Sequence, residues 1–209
     1  MSDVFDFKKE YKDLYLPKQK PMRIHVPKMS FLAVDGEGDP NGDAYQNAVS
    51  ALYSISYTIK MSKMGQSRPA GYFDYVVPPL EGLWWTPGPF ELFERADWLW
   101  SAMIRQPEFV NSETLAWAKE QSAKKKPDID TSVVTLTELT EGDCVQMMHI
   151  GPFATEPETL TVMHAYMEAQ GLRDDVGSVR KHHEIYLNDP RKTAPDKLKT
   201  VLRHPVAVK

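Results

Sequence analysis

A single cysteine, Cys144, among 209 residues leaves no partner for a disulfide and no pair for a thiolate metal site, and it suits a reducing compartment. Long apolar runs are missing too. The N-terminus, Met-Ser-Asp-Val-Phe-Asp-Phe-Lys-Lys, has no apolar core of signal-peptide length, and no later stretch approaches a membrane span. A cytoplasmic protein that meets no membrane is expected. There is no cationic surplus: 25 Lys and Arg face 29 Asp and Glu, for a formal charge of -4. Nucleic-acid binding needs clustered positive charge to displace phosphate counterions, so no direct nucleic-acid partner is expected. The dense basic run, Lys124 to Lys126, follows a helical pattern, where cations suit the negative end of the dipole. Phosphate-cradling glycine loops, a nucleophile-elbow serine and paired-cysteine spacings are absent. Asp35-Gly36-Glu37-Gly38 lacks the third glycine of a dinucleotide turn and leads into a polar loop, so it reads as a strand-to-helix turn, and no cofactor is expected.

What is present is an ordinary globular balance, 42% hydrophobic and 26% charged, on a chain long enough to bury a full core. Residues 1–21 mix charge with Phe5, Phe7, Tyr11 and Tyr15 and end at prolines, which suggests an arm lying on the body. The stretches 22–27 and 30–36 read as a hairpin turning at Pro27 and Lys28. From 44 to 64 the apolar residues Tyr45, Ala48, Val49, Leu52, Ile55 and Ile59 recur on one helix face, with Asp43 as N-cap and Gly65 as the stop. Residues 72–77 and 80–85 then read as strands, 98–104 as another, and Asn111 caps a second helix to about Lys124. The order repeats: 132–139 and 144–150 as a hairpin, Thr155 and Glu158 as a capping box, a helix 157–170, then strands 182–187 and 198–206. Gly36 answers Gly151, and Glu81 answers Glu184. The expected fold is α+β: duplicated strand-helix-strand-strand modules, about 22–128 and 129–209, forming one domain, 22–209. Its antiparallel sheet carries the helices on one face and a ligand cleft between the halves.

Candidate chemistry concentrates near that cleft. Glu184 shares a strand face with Tyr186, and a carboxylate buried among aromatic rings would be poised for proton transfer or for a cationic ligand. Of His182-His183-Glu184, only His182 and Glu184 could share an ion, since neighbours on a strand point to opposite faces; with no third ligand nearby, no metal is expected. Tyr53 and Tyr57, at i and i+4 on the first helix, form a polar aromatic flank that could face Trp84 or Trp85 across a slot for planar ligands. Cys144 reads as a small buried apolar residue, and His149 as a group that packs or bonds locally, with a catalytic role as its alternative; His149 also stands among the ligand-binding candidates.

Met-His-Ile-Gly-Pro-Phe at 148–153 and His-His-Glu-Ile-Tyr-Leu-Asn-Asp-Pro-Arg-Lys at 182–192 resemble the second half of GyrI-like small-molecule-binding proteins. Pro-Pro-Leu-Glu-Gly-Leu-Trp-Trp at 78–85, with residues 98–110, resembles the first half of the stand-alone branch. The resemblance implies a pocket acid at Glu184, with Trp85, Tyr53, Tyr57, Trp117 and the neighbouring Trp84 as candidates for its aromatic wall. It also implies binding of aromatic, hydrophobic or cationic molecules in a protective or sequestering role; a monomer or homodimer is expected. A second possibility it carries is hydrolysis of electrophilic cyclopropane-bearing compounds with Glu184 as general acid or base. A third class, a protein-interaction module with a gyrase-like partner, would use Phe5, Phe7 and Tyr11 as its contact, against the alternative that the arm docks on its own domain.

Overall fold

The computed structural model describes residues 4–64, 68–88, 94–177 and 179–209. Two short helices, α1 (Phe7–Glu10) and α2 (Lys12–Tyr15), precede β1 (Met22–Val26) and β2 (Met29–Glu37). Then come α3 (Asp43–Lys60), β3 (Leu80–Trp85), β4 (Leu99–Arg105), α4 (Ser112–Lys125) and β5 (Thr135–Leu139). The second half continues with β6 (Gly142–Ile150), α5 (Glu156–Ala169), β7 (Leu172–Asp174), β8 (His182–Tyr186) and β9 (Lys199–Val208). Every strand pairing is antiparallel, in the order β1-β6-β9-β8-β3-β4-β2-β5, with β7 added on β9. β3 and β8 meet at the middle, and the four strands on one side answer the four on the other. This is the duplicated α+β architecture that the sequence pattern implies.

Its strands are exchanged, however, where hairpins are expected. β1 pairs with β6 and β2 with β5, so neither 22–36 nor 132–150 folds back on itself. β1 and β2 stand far apart in the strand order yet are joined by Pro27 and Lys28 alone. The sheet must curl until its two flanks approach each other. Other local departures are smaller. Gly42 rather than Asp43 precedes α3, and Thr155 makes no cap bond to α5 but donates to the Pro152 carbonyl. Residues 72–77 contribute a single bridge, Tyr75 to Phe5, instead of a strand, and β7 is an element the pattern did not reveal. The stop expected at Gly65 lies outside the described residues. Asn111 caps α4 as expected, accepting from the Thr114 N–H at 2.9 Å. Gly36 lies inside β2 opposite Trp100, where a Cβ would meet the indole at 2.3 Å, so this glycine is demanded by ring packing.

The two sheet faces are packed differently. On one face, Phe31, Ala33, Met103, Cys144, Met148, Ile185 and Val201 join Phe7, Leu14 and Tyr15 of the arm in a single core. The arm is thus docked on its own domain, with Phe7 buried and Tyr11 partly exposed. On the other face the long helices make two separate cores, α3 and α4 over β2, β3 and β4, and α5 over β6 and β9. The seam between those cores runs over the β3–β8 pair.

The arm-side face also buries four charged-type side chains, which need mutual satisfaction there. His183 Nδ1 lies 2.9 Å from Glu141 Oε1, and Arg203 donates to Glu141 Oε2 at 2.8 Å, to Gln146 Oε1 at 2.9 Å and to the Leu14 carbonyl at 2.9 Å. Glu81 accepts from Tyr15 at 3.1 Å and lies 3.0 Å from His183 Nε2, a close charge contact rather than a well-aligned hydrogen bond. Burial pushes the Glu141 carboxyl up, but the charges and hydrogen bonds of His183 and Arg203 outweigh it and hold the group at about 2. Burial likewise pulls His183 down, and Glu141 and then Glu81 override it, raising the imidazole to about 9.

These shifts set a stability window. The Glu141 contribution is present above its ordinary value of 4.5 and is lost as pH falls towards 2; that of His183 is present below 6.5 and is lost as pH rises through 9. Urea denaturation should therefore show the stability gap between wild type and His183→Gln shrinking as pH is raised across that upper interval. Arg203→Met, which removes one cation from the buried cluster and leaves Glu141 with His183 alone, should cost about 3–5 kcal/mol at neutral pH.

Candidate functional site

Register across the seam decides which acid faces which layer. Glu184 opposes Gly82 and Leu202, whereas Glu81 opposes Ile185. Because strand neighbours alternate, Glu184 stands on the helix side and Glu81 on the arm side, so the two are not counterparts around one cleft. His182, Glu184 and Tyr186 of β8, with Leu80, Gly82 and Trp84 of β3, share the helix-side face. A Cβ at Gly82 would meet Trp84 Nε1 at 2.7 Å and Tyr186 Oη at 3.0 Å, so the missing side chain is what lets these groups close beside the acid.

Trp84 Nε1 donates to Tyr186 Oη at 2.9 Å. Tyr45, on the first turn of α3, packs its ring 5.3 Å from Trp84 and 5.0 Å from Trp100, and Trp98 stands edge-on to Trp84 at 5.9 Å. From the other half, Phe153 meets Tyr186 edge-on at 5.9 Å while remaining 41% exposed, so it forms the outer lip. Glu184 thus shares a strand face with Tyr186, whose side chain joins Trp84 and Tyr45 of the α3–α4 core to Phe153 of the second half. Burial and then the charge of Glu184 push the Tyr45 and Tyr186 hydroxyls well above their ordinary range, which keeps them protonated donors at neutral pH.

A second carboxyl completes the group. Glu156, at the start of α5, is buried against Thr200, which pairs directly with Tyr186 across β8 and β9. Burial, followed by the charge of Glu184, lifts Glu156 to about 9 against a smaller opposing bond from Thr200. Its Oε1 has no hydrogen-bond partner among the described residues. Glu156 therefore keeps its proton at neutral pH, beside an acid on the next strand. On the side of Glu184 away from Tyr186, His182 Nε2 lies 2.9 Å from Glu184 Oε1.

The remaining sequence-derived candidates lie elsewhere. Tyr53 and Tyr57 stack on each other with centroids 6.2 Å apart. Tyr53 sits two helical turns, about 12 Å, beyond Tyr45, near Leu80 and Asp189, and Tyr57 is half exposed. Trp85 alternates away from Trp84 and carries the Lys181 ammonium 4.4 Å over its ring. Trp117 lines a separate concavity of about 220 Å³ with Phe109, Asn111 and Thr114. His149 bonds Thr159 Oγ1 at 2.8 Å and borders another, of about 330 Å³, with Gln19 and Asp196. Glu184 lines neither of these two concavities, and its side chain stays 14% exposed on the helix side. Tyr45 escaped sequence reasoning because it lies on the apolar stripe of α3, and Glu156 because the helix-start pattern pointed to Thr155 and Glu158.

The family model for the GyrI-like small molecule binding domain matches residues 19–207. Among solved structures, an uncharacterized conserved protein from Listeria innocua is 61% identical with a TM-score of 0.94, covering 97% of this chain and 100% of that one. A structure described as a hydrolase from Listeria innocua is 59% identical with a TM-score of 0.91 over the same shares of the two chains. The C-terminal domain of EcmrR, at 9% identity and a TM-score of 0.54 over 91% of this chain and 98% of that one, has the same fold. A comparison with curated proteins yields no match. Among the described residues, no helix is long and apolar enough to cross a membrane.

The coupling of the two carboxyls is directly measurable. Carbon-detected NMR titration of the side-chain carboxyls should find Glu156 titrating near 9, and Glu184→Gln should move it downward by removing the second of its two causes. A Glu156 titration unmoved by that substitution would show that the acids do not interact.

Proposed function

Because the chain belongs to the GyrI-like small-molecule-binding domain family, we propose that it binds a small, flat, largely apolar molecule over Glu184 and hydrolyses it, Glu184 acting as the base that activates water. The observation that carries this reading is the paired acid. Glu156, buried and bonded to Thr200, holds a proton at neutral pH and feels the charge of Glu184, whose strand neighbour Tyr186 joins Trp84 and Phe153. Acid-base catalysis calls for two titratable groups in environments that drive their proton affinities apart. The ring faces supply stacking affinity, and a carboxylate among them favours cationic or electron-poor ligands.

The substrate class that fits is an electrophilic strained ring, such as a conjugated cyclopropane. Water gives a proton to Glu184 as its oxygen bonds to the ring carbon. The ring C–C bond breaks, and its electron pair passes into the conjugated acceptor, which then takes up a proton, with Glu156 as the reservoir. Turnover is further supported by the description of a 59% identical relative from Listeria innocua as a hydrolase. The second reading, binding and sequestration without turnover, rests on the aromatic wall alone.

Purified protein should convert a conjugated cyclopropane probe into a product heavier by one water, detected by mass spectrometry. Glu184→Gln should lower that rate by about 10²–10⁴-fold while quenching of tryptophan fluorescence by the probe persists. Quenching without product in the wild type would leave sequestration standing and remove the hydrolase. Unchanged affinity of Glu184→Gln for a panel of aromatic cations would remove the charge-selection role.

A further inference from the structure

The hydrogen-bonded chain that starts at Glu184 does not stop at His182. His182 Nδ1 lies 2.6 Å from His204 Nε2, and His204 Nδ1 lies 2.6 Å from Asp174 Oδ2, which is also 2.9 Å from His164 Nε2. Three links thus join Asp174, His204, His182 and Glu184 in series, and each link needs one hydrogen. A neutral imidazole carries one N–H, so two of them supply two, and an ionised carboxylate at either end can only accept. With neutral rings the series is one proton short.

A cation on His204 Nδ1 would remove the deficit. It would replace the hydrogen between His204 and Asp174, leaving His204 Nε2–H to donate to His182 and His182 Nε2–H to donate to Glu184. Every link then has one donor and one acceptor. We propose that His164, Asp174 and His204 form a site for a divalent transition-metal ion, with zinc the best match to two imidazole nitrogens and one carboxylate oxygen.

The geometry supports this set. One ligand atom from each residue can be chosen so that all lie within 4.8 Å of one another. Metal–ligand bonds of about 2.0–2.1 Å in a tetrahedron place donors about 3.3 Å apart, within reach of small side-chain rotations. The ligands come from three elements held against each other, His164 from α5, Asp174 from β7 and His204 from β9, and β7 is hydrogen-bonded to β9. His204 is buried and Asp174 half-buried, while His164 is half exposed, so an ion can enter from solvent and keep an open position for water. His182 would be the outer partner that orients a ligating imidazole by accepting its second N–H, an arrangement typical of metal-bound histidine. The three residues are spread over some forty positions of the chain, which is why local spacing did not reveal them.

The test uses full-length, untagged protein stripped with chelator and titrated with zinc chloride by calorimetry, and with cobalt(II) by visible absorption. One ion per chain is expected, with a cobalt spectrum of tetrahedral nitrogen and oxygen ligation. His164→Ala, at an exposed position that does not threaten folding, and Asp174→Asn should each weaken binding by at least about ten-fold, and affinity should fall as protons compete at lower pH. His25→Ala, an exposed histidine on β1, should change nothing. Absence of saturable zinc uptake at millimolar concentrations would overturn the proposal and leave an extra proton, shared by His182 and His204, in the metal's place. Uptake undiminished in His164→Ala and Asp174→Asn would overturn it equally.

Discussion

The pairing of β3 with β8 is the contact on which the rest of this molecule depends. It joins the two halves, and its register determines that Gly82, not Glu81, lies beside Glu184. Side-chain alternation then sends one acid to each face of the sheet. Glu81 enters a core closed by the arm, where a buried acid survives only with partners, and His183 and Tyr15 reach it. Glu184 enters the seam between two helix-covered cores, where His182 is its close charged-type neighbour and Tyr186 shares its strand face. A slip of one residue would exchange these environments and lose both the buried Glu81–Glu141–His183–Arg203 cluster and the candidate site.

The curl of the sheet follows from the same economy of connections. Two-residue links between β1 and β2 and between β5 and β6 are short enough for hairpins, yet each strand pairs elsewhere. The exchange draws the flanks of the sheet together around the arm and makes one continuous core on that side. On the outer side the helices cannot close ranks, because α3 with α4 and α5 each sit over their own half. Glu156 on α5 and Tyr45 on α3 both feel the charge of Glu184, so the candidate site draws on both repeats.

Sequence periodicity alone located the three long helices to within a few residues, because an apolar stripe at helical spacing and a cap such as Asn111 are local signals. It placed β3, β4, β8 and β9 for the same reason. It misassigned the partners of β1, β2, β5 and β6, since a short polar link is compatible with both a hairpin and an exchanged strand. It also read 72–77 as a strand, where aromatic residues instead pack their rings: Phe73 and Tyr75 against Phe109 and the arm's Phe5 and Phe7.

For the site, the residue types at 182–186 announced an acid and an aromatic on one strand face, and Glu184 with Tyr186 was legible to that extent. Which rings joined them was decided by register and helix placement: Trp84 rather than Trp85 by alternation, and Tyr45 rather than Tyr53 by position along α3. Glu156 and the His164–Asp174–His204 group depend on contacts between elements remote in the chain. What the sequence by itself determined is everything carried by local patterning, namely the helices, the strands and the duplicated order. What the tertiary structure alone decided is which side chains share a dielectric environment and a hydrogen-bond network, because charge, burial and proton affinity are properties of neighbours in space.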